Sequence, residues 1–410
     1  MKRFLVLTLL AGLCAMAFAS AAPAAAPADV GWEFPLSGPY GFYAEEMKRG
    51  VEMAVDEWNA KGGVLGKPVK VLIRDSELKA DVALRRMKEF VDSGIPIIGG
   101  NLGGGISMVI NQWANKNKVL YMSTCHNSLG QGPDWGYYGF TTGIKSYMTG
   151  AALADFAFEK LGKKWMVIAA DYRWGHDQVA AFLVKSKAAG GEFVGAIYTP
   201  IGTRDFSAYV PQILAKKPDF LVLSVFGSDL VAAIKQFGEL GLSQRIKLAL
   251  PKTAMPIMKE CGSAYNENVY GAVTWYWTLY KKYPNAKPFV DAYMKKFNRP
   301  PDADTDSGYV GAQTLFMAME KAGTRTDLAK IIPALENLKW DLNQGPEHFR
   351  KCDHVRTQTV VILQGRGAKA KGWDLATVIA EVPPSKTMLP CDVDRADSVY
   401  GPIRNKLPGK

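Results

Sequence analysis

The sequence reads as an α/β protein, with mostly parallel sheets flanked by helices and the chain shared between two lobes. From about residue 30 to about residue 275, apolar strand-like runs alternate with helical patterns, the order that βαβ units produce. A helix–Gly-Gly–strand phrase occurs twice, at Asn59-Ala60-Lys61-Gly62-Gly63 and at Lys187-Ala188-Ala189-Gly190-Gly191, and each copy fits one lobe. The 410 residues are too many for one ordinary core and suit two domains of usual size.

The first elements are the clearest. Phe34 ends a strand, and Ser37-Gly38-Pro39 makes a small-residue turn. Met47, Val51, Ala54, Val55 and Trp58 then recur at helical spacing, so one face of a long helix is buried. Gly62 and Gly63 stop that helix, and Val69, Val71 and Ile73 alternate as strand residues do. Further strands are expected at 95–98, 119–122, 165–170, 193–198, 220–225 and 246–250. Helical patterns lie between them, among them Phe206, Val210, Ile213 and Leu214, then Leu230, Val231, Ile234 and Phe237.

Residues 1–19 have the outline of a signal peptide: Lys2 and Arg3 at the start, an apolar run over 4–13, and the small-x-small Ala17-Phe18-Ala19. Cleavage is expected near Ala19, followed by a linker at 20–28. The apolar run is too short for an anchor, and bulky Leu13 before Cys14 argues against a lipoprotein. Net charge is +11, or +9 without Lys2 and Arg3, and the basic residues are scattered rather than clustered as on a nucleic-acid surface. Of the five cysteines, Cys14 leaves with the signal, and Cys352 and Cys391 are the best candidate disulfide, which would staple an irregular tail. Cys125 and Cys261 are expected to be free and buried. No CxxC or Cys/His spacing suggests a metal, and no cofactor is expected.

The strand–SGP–helix–NAKGG–strand order of residues 34–75 closely resembles the opening of the leucine/isoleucine/valine-type (branched-chain amino acid family) periplasmic solute-binding proteins of ABC transporters. The resemblance runs over about 30–365 and is clearest in 34–75, 165–240 and 285–322. It implies the type I periplasmic binding fold, two lobes joined by a three-strand hinge. Lobe one would be 29–141 plus 275–342, and lobe two 142–274 plus 343–400, crossing near Thr141, Thr274 and Leu342. The residues alone suggest a simple cut near 142. Residues 366–410 extend past the usual end of the family.

Parallel α/β sheets bind small molecules outside the carboxyl ends of their strands. The best such place is Ile97 to Gly105, where Asn101, Leu102, Gly103 and Gly104 lead into a helix whose unpaired N–H groups suit a carboxylate. A tight turn without a ligand is the alternative. No Gly-x-Gly-x-x-Gly fits this run, and Gly66-Lys67 precedes Pro68 rather than a helix. After the next strand, Ser123, His126, Asn127 and Ser128 are within reach of the same cleft. A nucleophilic Cys125–His126 pair is disfavoured, since sequence neighbours point apart and no third orienting residue is evident.

The resemblance adds further contacts. Gly103 stands where the family has a hydroxyl residue for the ligand carboxylate, which leaves backbone donors. It places Tyr43 against the ligand, after Tyr40 and Phe42, and Trp174 of Asp171-Tyr172-Arg173-Trp174-Gly175 at a second aromatic contact. Phe226 falls where the family often has Tyr; each aromatic has core packing as its alternative. Lys252 stands at about the place where amino-acid-binding members carry an acidic residue that pairs with the ligand's ammonium. A lysine there repels an ammonium, so the ligand either lacks one or pairs it elsewhere, at Asp304 or Asp306. An aromatic or short aliphatic carboxylate fits; Lys252 reaching out to solvent, or a one-residue slip of alignment, is the alternative.

The expected role is a monomeric periplasmic receptor that captures a small carboxylate-bearing solute by hinge closure and delivers it to ABC permease subunits. The alternatives are a ligand-sensing receptor of the same fold for amides or amino acids, and a true branched-chain amino acid binder. An enzyme is not expected: His126, His176, His348 and His354 stand in no nucleophile-elbow or HExxH motif.

Overall fold

The structure, a computed structural model, describes residues 29–38, 40–125, 135–391, 399–400, 402–403 and 405–409. The expected signal peptide and linker lie outside the described residues, as do Pro39, His126, Asn127 and Ser128.

The first sheet is built from β1 (Val30–Phe34), β2 (Val71–Asp75), β3 (Ile97–Gly100), β4 (Leu120–Ser123) and β5 (Gly139–Thr141), in the order β2-β1-β3-β4-β5. All its pairings are parallel. Helices α1 (Gly41–Ala60), α2 (Ala80–Asp92) and α3 (Gly104–Asn117) connect the early strands. Strands β1, β3 and β4 are buried throughout, so they read as near-continuous apolar runs. Alternation survives in the packing: Ile98 joins Met87 and Phe90 of α2 and Ile110 of α3, while Ile97 joins Met47 and Val51 of α1. The Asn59 side chain bonds both the N–H and C=O of Val69 (2.7 and 3.1 Å), which fixes where the chain enters β2.

The second sheet follows α4 (Ser146–Lys160). It contains β6 (Lys164–Ala170), β7 (Glu192–Thr199), β8 (Phe220–Ser224), β9 (Lys247–Leu250) and β10 (Val269–Val273), with helices α5 (Arg173–Ala189), α6 (Val210–Lys216), α7 (Ser228–Glu239) and α8 (Met255–Cys261) between them. Here too one face packs on α4 and α5, through Trp165, Val167, Phe220 and Val222. The other packs on α6, α7 and α8, through Met166, Ile168, Leu221 and Leu223.

After β10 the chain returns to the first sheet. It adds α9 (Lys287–Phe297), α10 (Ala303–Ala322) and α11 (Leu328–Glu336), and α10 packs along α1. The contact is close because Gly50 and Gly308 meet backbone: an added Cβ on either would overlap the Thr305 or Met47 carbonyl oxygen. A short hairpin of β11 (Lys339–Asp341) and β12 (Pro346–His348) precedes the last strands. β13 (Val360–Gly365) and β14 (Ala376–Val382) then join the second sheet antiparallel, giving the order β14-β13-β10-β9-β8-β6-β7.

The tail carries α12 (Pro384–Thr387) and wraps the second lobe. Tyr400 stacks on Tyr147 of α4 at 5.1 Å, and the Tyr198 hydroxyl of β7 donates to the Pro408 carbonyl at 3.3 Å. A disulfide joins Cys352 to Cys391, and Cys125 and Cys261 are free and buried. Among the described residues, no helix is long and apolar enough to cross a membrane.

Candidate functional site

The carboxyl ends of the two sheets face one another, and a small cavity of about 50 Å³ lies between them. From the first lobe it is lined by Tyr40, ahead of α1, and by Leu102, Gly103 and Gly104 between β3 and α3. From the second it is lined by Tyr172 and Trp174 after β6, Phe226 after β8 and Lys252 after β9. Every lining residue therefore follows a strand end, as the topology of parallel sheets dictates.

Local chemistry places each group. Gly104 opens α3, so the orphan N–H groups of the first turn and their partial positive charge stand at the cavity wall. Trp174 is the second residue of α5; an added Cβ on Gly175 would overlap the Ala170 carbonyl oxygen, so glycine there lets the loop fold tightly onto β6. Phe226 is the hub of an aromatic cluster drawn from both lobes. Its ring lies 4.6 Å from Tyr43, 6.1 Å from Tyr40 and 6.3 Å from Trp174, and Tyr172 stacks on Trp174 at 6.1 Å.

Lys252 neither reaches solvent nor stands alone. It is buried, with Nζ 4.9 Å from the centre of the Phe226 ring, and it donates to Asp304 Oδ1 at 3.0 Å across the interlobe gap. Asp304 is equally buried, and its Oδ2 has no hydrogen-bond partner among the described residues. The neighbouring Asp302 caps α10: it accepts from Asp304 N at 2.9 Å and, from the other lobe, from Met255 N at 2.8 Å. Burial, with the Asp304 charge beside it, pushes the Asp302 carboxyl up to about 7. Asp306, the other acid considered for a ligand ammonium, is committed elsewhere, to Arg356 Nη1 at 2.9 Å and Asn343 Nδ2 at 2.6 Å.

Three expected contacts, Asn101, Ser123 and Tyr43, are not part of the cavity lining. Asn101 is wholly buried: its Nδ2 donates to Glu33 Oε2 at 3.2 Å and its Oδ1 accepts from Ser107 Oγ at 3.3 Å. Its short polar side chain tolerates the left-handed φ of +75° required at the end of β3. Burial pushes the Glu33 carboxyl up to about 7. Ser123 closes β4 and is wholly buried as well. Tyr43 is not itself a lining residue but braces Phe226, and His176 bonds Asp171 at 2.8 Å outside the lining. Sequence reasoning did not single out Tyr172 as a contact. Its signal was its place, immediately after a strand end and two residues before Trp174.

A larger hollow of about 860 Å³ lies on the first lobe between α1, α9 and α10, floored by Met53, Phe289 and Tyr309. It meets no strand end of either sheet, and the lysines and acids around it include the pairs Lys296–Asp56 and Lys61–Glu57. Size alone therefore does not mark the candidate site; convergence of strand ends, a helix start and a buried charge pair does.

Comparison with known proteins identifies the family and the fold. A curated relative, Leu/Ile/Val-binding protein homolog 6 of Brucella melitensis biotype 1, is 27% identical over 375 residues, covering 86% of this chain and 92% of that protein. The amino acid ABC transporter substrate-binding protein from Pseudomonas fluorescens Pf-5 superposes with a TM-score of 0.79 at 22% identity, covering 87% of this chain and 97% of that one. The solute-binding protein of an ABC transporter from Rhodopseudomonas palustris BisB5, solved with 3,4-dihydroxybenzoic acid, gives 0.77 at 23% identity, covering 87% and 97%. The model of the periplasmic binding protein family matches residues 27–371, and the chain belongs to that family.

Proposed function

We propose that this protein is the extracytoplasmic solute receptor of an ABC importer and that it closes over a small carboxylate-bearing solute. The observation that carries this reading is the cavity shared by both lobes, where the α3 N-terminus and Lys252 offer positive charge and four aromatic side chains offer cover. A carboxylate held at Gly103, Gly104 and Lys252 would have its body packed among Tyr40, Tyr172, Trp174 and Phe226. Contacts made to both lobes favour the closed form, so a ligand that touches both adds to the direct Lys252–Asp304 and Phe226–Tyr43 contacts.

In this reading lobe one is 29–141 plus 275–342, lobe two is 142–274 plus 343–400, and the hinge lies near Thr141, Thr274 and Leu342. Support comes from the hydrogen bonds at the crossings. Thr141 N donates to the His354 carbonyl at 3.1 Å, Arg356 N donates to the Thr141 carbonyl at 3.0 Å, and the Gln344 side chain donates to the Thr274 carbonyl. The reading involves no covalent step, places the protein in the periplasm and gives it permease subunits as partners.

The guest is an aromatic or aliphatic acid. An amino acid is the second reading, favoured by buried Asp304 opposite Lys252. A thermal-shift screen over amino acids, aromatic acids, amides and short fatty acids tests the proposal. A ligand at a hundred times its Kd should stabilise the protein by about 2.7 kcal/mol. Trp174→Ala and Lys252→Gln should lose that shift, with circular dichroism of each variant checking that it is folded. Unchanged affinity in both variants would mean that the solute binds elsewhere.

A further inference from the structure

We propose that closing the lobes is proton-linked: the Asp302 carboxyl takes up a proton from solvent as the lobes shut and releases it as they part, so acidification tightens the solute site. The inference rests on the reading of the interlobe cavity as that site and adds its regulation. Three observations carry it. Asp302 and Asp304 stand together at the start of α10 on the first lobe, and each is 3% exposed. Both are covered by the second lobe: Asp302 Oδ2 accepts from Met255 N at 2.8 Å, where α8 begins, and Asp304 Oδ1 accepts from Lys252 Nζ at 3.0 Å. And among the described residues Lys252 is the one cation paired with these two acids, while Asp304 Oδ2 has no hydrogen-bond partner. One lysine therefore offsets two buried carboxyls.

The groups packed around the pair leave that excess in place. From α1, Glu46 adds a negative charge but is itself answered by Arg49 and Arg299, and burial holds the Tyr43 hydroxyl in its protonated form. Glu260 of α8 adds a further negative charge facing Tyr43, and Asp306, next along α10, is turned to Arg356. Asp302 accepts two backbone N–H bonds, from Asp304 and Met255, which favour its anion. Burial outweighs them and, with the Asp304 charge beside it, pushes the carboxyl up to about 7. When the lobes part, Met255 N withdraws with the second lobe and water reaches Asp302, so its carboxyl returns toward the ordinary range of about 4. The closed form thus holds an extra proton between about pH 4 and pH 7, and a fall in pH through that interval favours closure. Glu33, the other carboxyl pushed up to about 7, is enclosed by the first lobe alone, so closure does not change its surroundings.

The test is titration calorimetry of the mature protein with leucine, benzoate and butyrate, none of which changes charge between pH 6 and pH 8. Any of them that binds the wild type should bind about tenfold more tightly at pH 6 than at pH 8, the factor that one carboxyl moving from about 4 to about 7 supplies. Repeated in buffers of different ionisation enthalpy, the same titrations should show close to one proton taken up at pH 6 and almost none at pH 8. Asp302→Asn keeps a side-chain acceptor at the start of α10 and should lose both the pH dependence and the proton uptake. Glu33→Gln should keep both. Equal wild-type affinity at the two pH values would overturn the proposal without any variant and leave the cavity reading standing. So would a dependence that survives in Asp302→Asn or disappears in Glu33→Gln. Failure of all three solutes to bind at either pH would overturn the cavity reading itself, and this proposal with it.

Discussion

Arg356 offers the sharpest test of how the lobes are joined. Its side chain is wholly buried, with Nε 3.0 Å from Glu347 Oε1, Nη2 3.0 Å from Glu347 Oε2 and Nη1 2.9 Å from Asp306 Oδ2. Its backbone N–H meets the Thr141 carbonyl, so one residue ties a proposed hinge crossing to the start of α10. Arg356→Met keeps much of the volume but leaves two buried carboxylates facing a thioether. Removing one member of a buried ion network costs about 3–5 kcal/mol, mostly as the penalty of the charges left behind. Burial already raises the Glu347 carboxyl, and without Arg356 it would rise further. A carboxyl whose folded pKa lies above its unfolded one destabilises the fold as pH rises through that interval, so the loss should be larger at pH 8 than at pH 5. Urea unfolding followed by circular dichroism at both values measures it. A loss under about 1 kcal/mol at pH 8, or one that grows on acidification, would refute the reasoning.

Three further outcomes are expected. Glu33→Gln should stabilise the protein at pH 8 by up to about 3 kcal/mol and have little effect near pH 4, since burial raises this carboxyl from 4.5 to about 7 and the ionised form is what the fold disfavours; an unchanged pH–stability profile would contradict it. Gly50→Ala should cost about 1–3 kcal/mol by forcing α1 away from Thr305 of α10, a loss that denaturant midpoints would read and that a neutral result would exclude. Cys352→Ser should lower stability by about 4 kcal/mol on chain-entropy grounds for a separation of 39 residues, and trypsin should then release the tail before it cuts the lobes.

Much of the fold was legible because parallel strands buried on both faces leave long apolar runs, as at 165–170 and 220–225, and because Gly-Gly stops mark helix ends. Strand β2 was harder to bound: it begins at Val71, and Val69 is held by Asn59 rather than by a neighbouring strand. The cavity loops were legible for the same topological reason, since Gly103, Trp174, Phe226 and Lys252 each follow a strand. What the chain order could not convey is depth. Asn101 follows β3 and Ser123 ends β4, at the right edge of the sheet, yet Asn101 turns to satisfy buried Glu33, a partner 68 residues away. Nor could spacing show that Lys252 meets Asp304, since 52 residues and a lobe crossing separate them. Periodicity reports which face of an element is buried and is silent on which charge lies opposite.

The most direct test is a crystal structure with the tightest-binding acid from the thermal-shift screen. Density for its carboxylate is expected at the N–H groups of Gly103 and Gly104 and at Lys252 Nζ, with the rest of the molecule among Tyr40, Tyr172, Trp174 and Phe226. Density in the hollow beside Phe289 and Tyr309, with the interlobe gap unchanged, would contradict a solute site at the strand ends.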